Sequence, residues 1–298
     1  MELLQLQYFR TVARLEHMTR SAQELRVAQP ALSKTIARLE KDVGVPLFDR
    51  DGRHIRLNAF GRAFLNKVEA ALTLLEEGQR EVADLAGLEH GSIHLTTSTL
   101  ERLSEPLSAF LSLHPNVNFR ITQASMEEMA ELIEAGEVDL CFTPLPMERQ
   151  DFSAVSVLNE DVYLGVPRTH RLAGRTSVRL DEVAHEPFIG YKEGYHFQKM
   201  NEGFLQSAGF SPNYVCRVDE PAAIAKLVSA GLGVALVGNC GGPDSPLRLL
   251  PIAYPACQRR FQLIWHNKRY LSLAARSFRD FLVDYFDRHE ATSVKQAK

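Results

Sequence analysis

Apolar residues at Leu6, Phe9, Val12, Ala13 and Leu15 recur at helical spacing near the start of the chain, which predicts an amphipathic first helix with its stripe turned inward. A second short helix, RSAQELRV, is expected after Thr19, whose hydroxyl is suited to cap it. A third is expected from about Gln29, with Pro30 at the first helical position, where its missing N–H costs nothing. On that helix the period points Ala31, Ile36, Leu39 and Val43 inward. Gln29, Ser33, Lys34, Thr35 and Arg38 are left pointing out. The next stretch, VPLFDRDGRHIRL, has two strand-like pieces around Asp51-Gly52, a hairpin signal with Arg50, Arg53 and Arg56 along its loop and flanks.

From Phe64 the pattern changes to alternating steps of four and three through Val68, Ala71, Leu75, Gly78, Val82 and Leu85. This is a heptad seam, with Glu76, Glu77, Arg80, Glu81 and Asp84 on the other faces. It predicts a dimerising coiled coil, locally weakened at Gly78, with packing on its own domain as the alternative. GLEHG (87–91) is a Gly-bounded linker. Beyond it, strand-like and helix-like segments alternate: SIHLTTS, LERLSEPLSAFLSLHP, NFRITQA, MEEMAELIEAGEV and DLCFTPL. Such alternation implies a parallel sheet with helices on its faces. A second α/β series runs from Asp161 to RRFQLIWH (259–266), followed by the amphipathic helix SLAARSFRDFLVDYFDRH. The expected domains are 1–60, a linker helix 61–90, and 91–298. The last divides into lobe I (91–160 and 267–298) and lobe II (161–266).

Length and charge sharpen this picture. A chain of 298 residues accommodates two or three domains, each with its own core. The net charge of −3 hides an asymmetry: residues 1–60 hold 10 Lys/Arg against 7 Asp/Glu, and the remainder 24 against 30. The first segment is too interrupted by Arg10 and Arg14 for a signal peptide, and LGVALVG (232–238) is too short to span a bilayer. A cytoplasmic location without membrane association is expected. Cys141, Cys216, Cys240 and Cys257 form no C-x-x-C pair, so neither a metal site nor a disulfide framework is expected.

The outward set on the third helix suits the major groove. Glutamine matches the adenine edge, Arg or Lys matches guanine or phosphate, and small hydroxyls permit close approach. A basic hairpin beside it makes a wing that reaches the backbone or the minor groove. The alternative is a helical bundle whose basic face is merely solvated. Residues Leu6 to Gly61 resemble the winged helix-turn-helix of the LysR-type transcriptional regulators. The match lies in Phe9, Ala13, Ala22, Leu25, Gln29-Pro30-Ala31-Leu32-Ser33, Leu39-Glu40, Gly44, Leu47-Phe48 and Arg50. Ser21 stands where the family usually has alanine, and Asn58 where it usually has threonine; both replacements are conservative in size or capping. The resemblance implies an α/β protein with an N-terminal all-α winged helix-turn-helix and a two-lobed, periplasmic-binding-protein-like effector domain. It also implies DNA contacts through Gln29, Pro30, Ser33, Lys34, Thr35 and Arg38, with Arg50 and Arg53 on the wing. The implied partners are double-stranded promoter DNA, further copies of the chain as homodimer or homotetramer, a small-molecule effector such as an organic acid or amino acid, and RNA polymerase.

Ligands of α/β sheets bind beyond the carboxyl ends of strands. Thr97, Ser98 and Thr99 end one strand, Thr143 ends another, and Tyr195, His196 and Gln198 follow the Glu193-Gly194 turn. Ser98 and Glu101 also have the spacing of a capping box, which competes with a ligand role. A lone His such as His196 is more often a satisfied surface residue than a ligand contact. The three segments correspond to where the family binds effectors, yet none contains an arginine to clamp a carboxylate. The branch that controls glutamate synthesis is the nearest in appearance. A thiol-based redox regulator on the same scaffold is the alternative, with Cys216 and Cys240 as the nearest pair. No cofactor and no catalysis are expected. SAGLGVALVG (229–238) places its G-x-G before a strand, and no H-E-x-x-H, G-x-S-x-G or P-loop occurs.

Overall fold

Helix α1 (Leu3–Leu15) buries Phe9, Val12 and Ala13 in a computed structural model that describes residues 1–51, 54–85, 91–239 and 247–296. Two units result. The first comprises Met1–Glu89 with the short segments Glu134–Glu137 and Arg269–Ser272. The second holds the rest.

In the first unit α2 (Met18–Glu24) and α3 (Gln29–Val43) follow, then the antiparallel strands β1 (Phe48–Asp51) and β2 (His54–Leu57), then the long helix α4 (Ala59–Leu85). The core joins Phe9, Val12, Ala22, Leu32, Ile36, Leu39, Leu47, Phe48, Ile55 and Val68. Phe9 meets the edge of Phe48 with ring centroids 5.5 Å apart. Glu40 accepts the Leu47 amide at 2.9 Å, which ties the end of α3 to the hairpin. Asn58 caps α4 by accepting the Gly61 amide at 2.8 Å.

Several expectations need correction. α2 begins at Met18, and its cap is His17, whose Nδ1 accepts the Arg20 amide at 3.3 Å; Thr19 lies within the helix. Glu16 ends α1 in the left-handed region (φ 44°), leaving His17 as the turn residue between the helices. Ala31 is exposed, because Leu32, Ile36, Leu39 and Val43 form the inward stripe at i, i+4, i+7 and i+11. Along the predicted seam, Val68 is buried in the core of this unit and Phe64 packs against it, whereas Ala71, Leu75, Gly78, Val82 and Leu85 are exposed. Glu77, expected on an outer face, is buried and paired with Arg269 at 2.9 Å.

The second unit contains two α/β lobes. In the first, β3 (Ser92–Thr97), α5 (Ser104–Leu113), β4 (Asn118–Gln123), α6 (Met126–Ala135) and β5 (Leu140–Thr143) give three parallel strands. β6 (Phe152–Asp161) then leads into the second lobe. That lobe holds β7 (Tyr163–Pro167), β8 (Val178–Arg179), a single 3-10 turn, β9 (Pro187–Tyr191), α7 (His196–Ser207), β10 (Asn213–Val218), α8 (Pro221–Ser229), β11 (Ala235–Val237) and β12 (Leu247–Tyr254). β13 (Gln258–His266) returns, and α9 (Leu273–Gln296) follows. The first sheet has the order β4-β3-β5-β13-β6. β13 pairs antiparallel with both β5 and β6, so the sheet is mixed and β13 belongs to the first lobe, where the sequence boundary at 266 had put it in the second. In the second lobe β11-β7-β12-β8 form one sheet and β9-β10 a parallel pair, joined through Phe188 and Val234.

Gly61 fixes the close approach of α4 to the hairpin, since a Cβ there would lie 2.1 Å from the Leu47 carbonyl oxygen. Gly61→Ala is expected to destabilise the first unit by about 1–3 kcal/mol through overpacking. Urea unfolding measures this; an unchanged midpoint would remove the steric account.

Candidate functional sites

α3 presents its outward face because its inward stripe is fully occupied. Gln29, Pro30, Lys34 and Arg38 are exposed, and Ser33 and Thr35 are partly so. Two of these residues are organised locally: the Gln29 amide donates to Ser33 Oγ at 2.9 Å, and Thr35 Oγ1 donates to the Ala31 carbonyl at 2.9 Å. Arg38 lies 3.2 Å from Glu2, both well exposed, a weak pair that a phosphate would readily displace. The Arg50 side chain and all of Arg53 lie outside the described residues. Gln29 to Arg38 thus form one hydrogen-bonding, cationic ridge on the first unit.

In the second unit a cleft of about 1100 Å³ opens between the lobes. Ser98 and Thr99 reach it from the end of β3, Leu145 and Pro146 from beyond β5, and Tyr195, His196 and Gln198 from the start of α7. Gly194 (φ 82°) makes the turn that aims α7 at the cleft. The Tyr195 hydroxyl donates across the lobes to the Ser98 carbonyl at 3.1 Å, and burial pushes its pKa up to about 12. The capping box is absent, because α5 starts only at Ser104 with Leu103 before it. Thr97 and Thr143 do not line the cleft. Thr97 Oγ1 accepts the Thr99 amide at 3.1 Å and lies 2.9 Å from the Phe142 carbonyl, and Thr143 Oγ1 accepts the Leu145 amide at 3.2 Å. Gln198 lines the cleft, but its amide group is already engaged by the Tyr191 N–H at 2.8 Å and Glu202 at 2.6 Å.

Three buried polar side-chain atoms are without partners among the described residues: Ser98 Oγ, His196 Nε2 and Arg259 Nε. Ser98 and His196 are 6% and 7% exposed and face the cleft. Burial, and then the Arg259 charge, hold the His196 pKa down at about 4, so the imidazole is neutral at pH 7. Behind it lies a cluster the sequence reading missed. Arg259, 2% exposed, stands directly opposite Glu160 in the β13–β6 register, 3.6 Å away. Arg102 pairs with the same carboxylate and donates to the Asn239 carbonyl at 2.9 Å. Arg259 also donates to Asn201 at 3.1 Å and lies 4.1 Å from the Phe197 ring centroid. The signal was the two-residue period of QRRFQL, which puts Arg259 on the same face as Phe261 and Leu263.

The thiols are less poised for chemistry. Burial pushes up the pKa of Cys141, and that of Cys257 to about 11, which keeps both protonated. Cys240 lies outside the described residues, and so therefore does the Cys216–Cys240 pairing. Among the described residues there is no metal-holding cluster, and no helix is long and apolar enough to cross a membrane.

Residues 3–62 match the bacterial regulatory helix-turn-helix protein, lysR family, and residues 86–287 match the LysR substrate binding domain. The chain is 34% identical over 292 residues to the HTH-type transcriptional regulator YybE of Bacillus subtilis, covering 96% of this chain and 99% of YybE. It is 31% identical to the transcriptional dual regulator GltC of the same organism, covering 97% and 99%. Among solved structures, CbnR, a LysR family transcriptional regulator, aligns with a TM-score of 0.71 at 24% identity, covering 96% of this chain and 99% of CbnR; CbnR has also been solved with its target DNA.

His196 supplies a pH-dependent prediction. Its folded pKa of about 4 lies below the ordinary 6.5, so between these values the unfolded chain takes up a proton that the folded one refuses. Its contribution is present above pH 6.5 and lost as pH falls, by about 2 kcal/mol between pH 7 and 5. Denaturant unfolding at the two pH values should show a smaller decline in His196→Gln; identical slopes would contradict a buried neutral imidazole.

Proposed function

Since the chain belongs to the LysR family of transcriptional regulators and has that family's DNA-binding and effector-binding domains, we propose that it is a sequence-specific regulator whose promoter binding is controlled by a small molecule held between the two α/β lobes. The observation that carries the effector site is the placement of Ser98 Oγ and His196 Nε2, buried and unpartnered, on one cleft. A buried polar group left unsatisfied costs about 1–3 kcal/mol, and a ligand that supplies the missing partner recovers it. On this reading Ser98, Thr99, Tyr195 and His196 meet the effector, while Thr97, Thr143 and Gln198 shape the walls around it.

The α3 ridge is read as the major-groove element, with Gln29, Ser33 and Arg38 toward bases or phosphates and Lys34 toward the backbone. Arg50 and Arg53 belong to the wing in the same reading. α4 supports pairing of two copies, because Leu75, Val82 and Leu85 are 52%, 66% and 82% exposed and lie on the heptad seam. Two reading heads on one two-fold axis call for a roughly palindromic site. Pairing of dimers into tetramers, contact with RNA polymerase and a cytoplasmic location complete the proposal. Effector binding acts by shifting the balance between lobe arrangements, which the Tyr195–Ser98 and Arg102–Asn239 bonds between lobes stabilise.

Binding of the purified chain to promoter DNA beside its own gene, titrated with salt, tests the first part. Tight binding to one segment is expected, with Lys34→Ala lowering the salt slope by about one. Ser98→Phe is expected to keep DNA binding and lose the response to metabolite extracts; equal affinity for every DNA segment, or an unimpaired response in Ser98→Phe, would refute the respective half. Leu75→Glu with Val82→Glu should convert the chain to monomers in sedimentation and reduce DNA affinity at least tenfold, an order-of-magnitude expectation for losing bivalent contact. An unchanged oligomer would exclude the seam.

A further inference from the structure

The floor and the rim of the cleft carry opposite charge. At the floor, α7 begins at His196 with no side-chain cap from Tyr195; the Gln198 amide donates to the Tyr195 carbonyl at 2.9 Å, which leaves the His196 and Phe197 amides of the first turn to meet an anion. Ser98 Oγ and His196 Nε2, both more than nine-tenths buried, add two unpartnered polar atoms. The Tyr195–Ser98 hydrogen bond brings the two segments together. Arg102 and Arg259 share the carboxylate of Glu160, an excess of one positive charge that Glu101, which acts on Tyr195 from the same side, offsets only in part because Arg259 and Glu160 are the buried members. The floor is therefore suited to one anionic group.

The rim is different. Glu127, Glu128, Glu193, Glu202 and Asp219 line the same cleft. Against them stand Lys199 on the lining, Lys192 beside Asp219 at 3.6 Å, and Arg217 beside Glu193 at 3.7 Å and Glu202 at 3.6 Å. Carboxylates outnumber cations there even with Arg217 included. A second carboxylate on the ligand would meet this excess, whereas an ammonium group would be attracted by it. An ammonium beside the first carboxylate would instead face the arginine pair.

We propose that the effector is a carboxylate bearing a cationic group at its far end, the carboxylate seated at Ser98, His196 and the first turn of α7 and the cation facing the acidic rim. This rests on the cleft being the effector site and adds the polarity of the ligand. A volume of about 1100 Å³ holds such a chain with room for larger members of the class.

Isothermal titration of the full chain with four five-carbon probes, δ-aminovalerate, valerate, glutarate and pentylamine, tests it. δ-Aminovalerate should bind tightest at low salt, about five- to tenfold better than valerate, with the advantage shrinking as salt rises. Ser98→Ala should weaken both carboxylates alike, and Glu127→Gln with Glu193→Gln should erase the advantage over valerate by weakening δ-aminovalerate, with valerate, relieved of two repelling carboxylates, binding no less tightly than before. Glutarate or pentylamine binding as tightly as δ-aminovalerate, or no probe binding at all, overturns the proposal. If glutarate binds best and Ser98→Phe abolishes it, the polarity is wrong and the effector cleft stands; binding indifferent to Ser98→Phe places the ligand elsewhere and sinks both.

Discussion

Glu160 is a buried carboxylate with two guanidinium groups against it, at the point where β6 and β13 run between the lobes of the second unit. Burying a carboxylate without partners costs several kcal/mol, so the strand ends that carry Glu160 and Arg259 are held in register and Arg102 is drawn inward. Through Arg102 the cluster reaches the Asn239 carbonyl beyond β11, and through Arg259 it reaches Asn201 on α7. Asn201 in turn donates to the Leu236 carbonyl at 3.1 Å. The start of α7, with Tyr195 and His196, is thereby placed against the end of β3. The salt-bridged cluster at the crossing strands and the cleft are thus linked through the side chains of Arg259 and Asn201.

Burial, and after it the Arg259 guanidinium of that cluster, account for the state of His196. An imidazole packed between Tyr195 and Phe197, with ring centroids 4.5 and 4.4 Å away, and close to a guanidinium is kept neutral. A neutral ring donates or accepts one hydrogen bond without adding a charge that would compete with the arginines. Buried polar atoms stand at the base of the cleft, conditions under which a single polar contact has more effect than on the surface.

In the first unit the governing constraint is packing rather than charge. Leu32, Ile36 and Leu39 occupy one side of α3, so that Gln29, Lys34 and Arg38 are left on its exposed side. Glu40 and Gly61 then bind the hairpin and α4 to that helix, the first by accepting the Leu47 amide and the second by letting backbone approach backbone. The exposed half of the α4 seam is a different matter: apolar residues are left outside because the inward positions Val68 and Leu72 already satisfy the core of this unit.

Periodicity alone was enough for the helix-turn-helix, the hairpin, the long helix and the alternation of strands and helices, because each is set by which residues can be buried at a spacing of two or 3.6. Local chemistry placed Asn58 as a cap and Gly194 at a turn. It failed at Thr19 and at Ser98–Glu101, where a neighbouring side chain or a later helix start took the role that spacing suggested. Thr97, Ser98 and Thr99 are consecutive in the chain, yet the Thr97 hydroxyl is spent inside the sheet and the Ser98 hydroxyl is left buried without a partner, a division that depends on the strand beside them. Arginine is absent from the lining of the cleft as it is from the three candidate segments; Arg102 and Arg259 pair with Glu160 instead, and only the pairing of β13 with β6 sets Arg259 against that carboxylate. The sequence by itself determined which surfaces must be buried. Tertiary structure decided which buried polar atoms found partners, since that depends on residues more than a hundred positions apart meeting at one point.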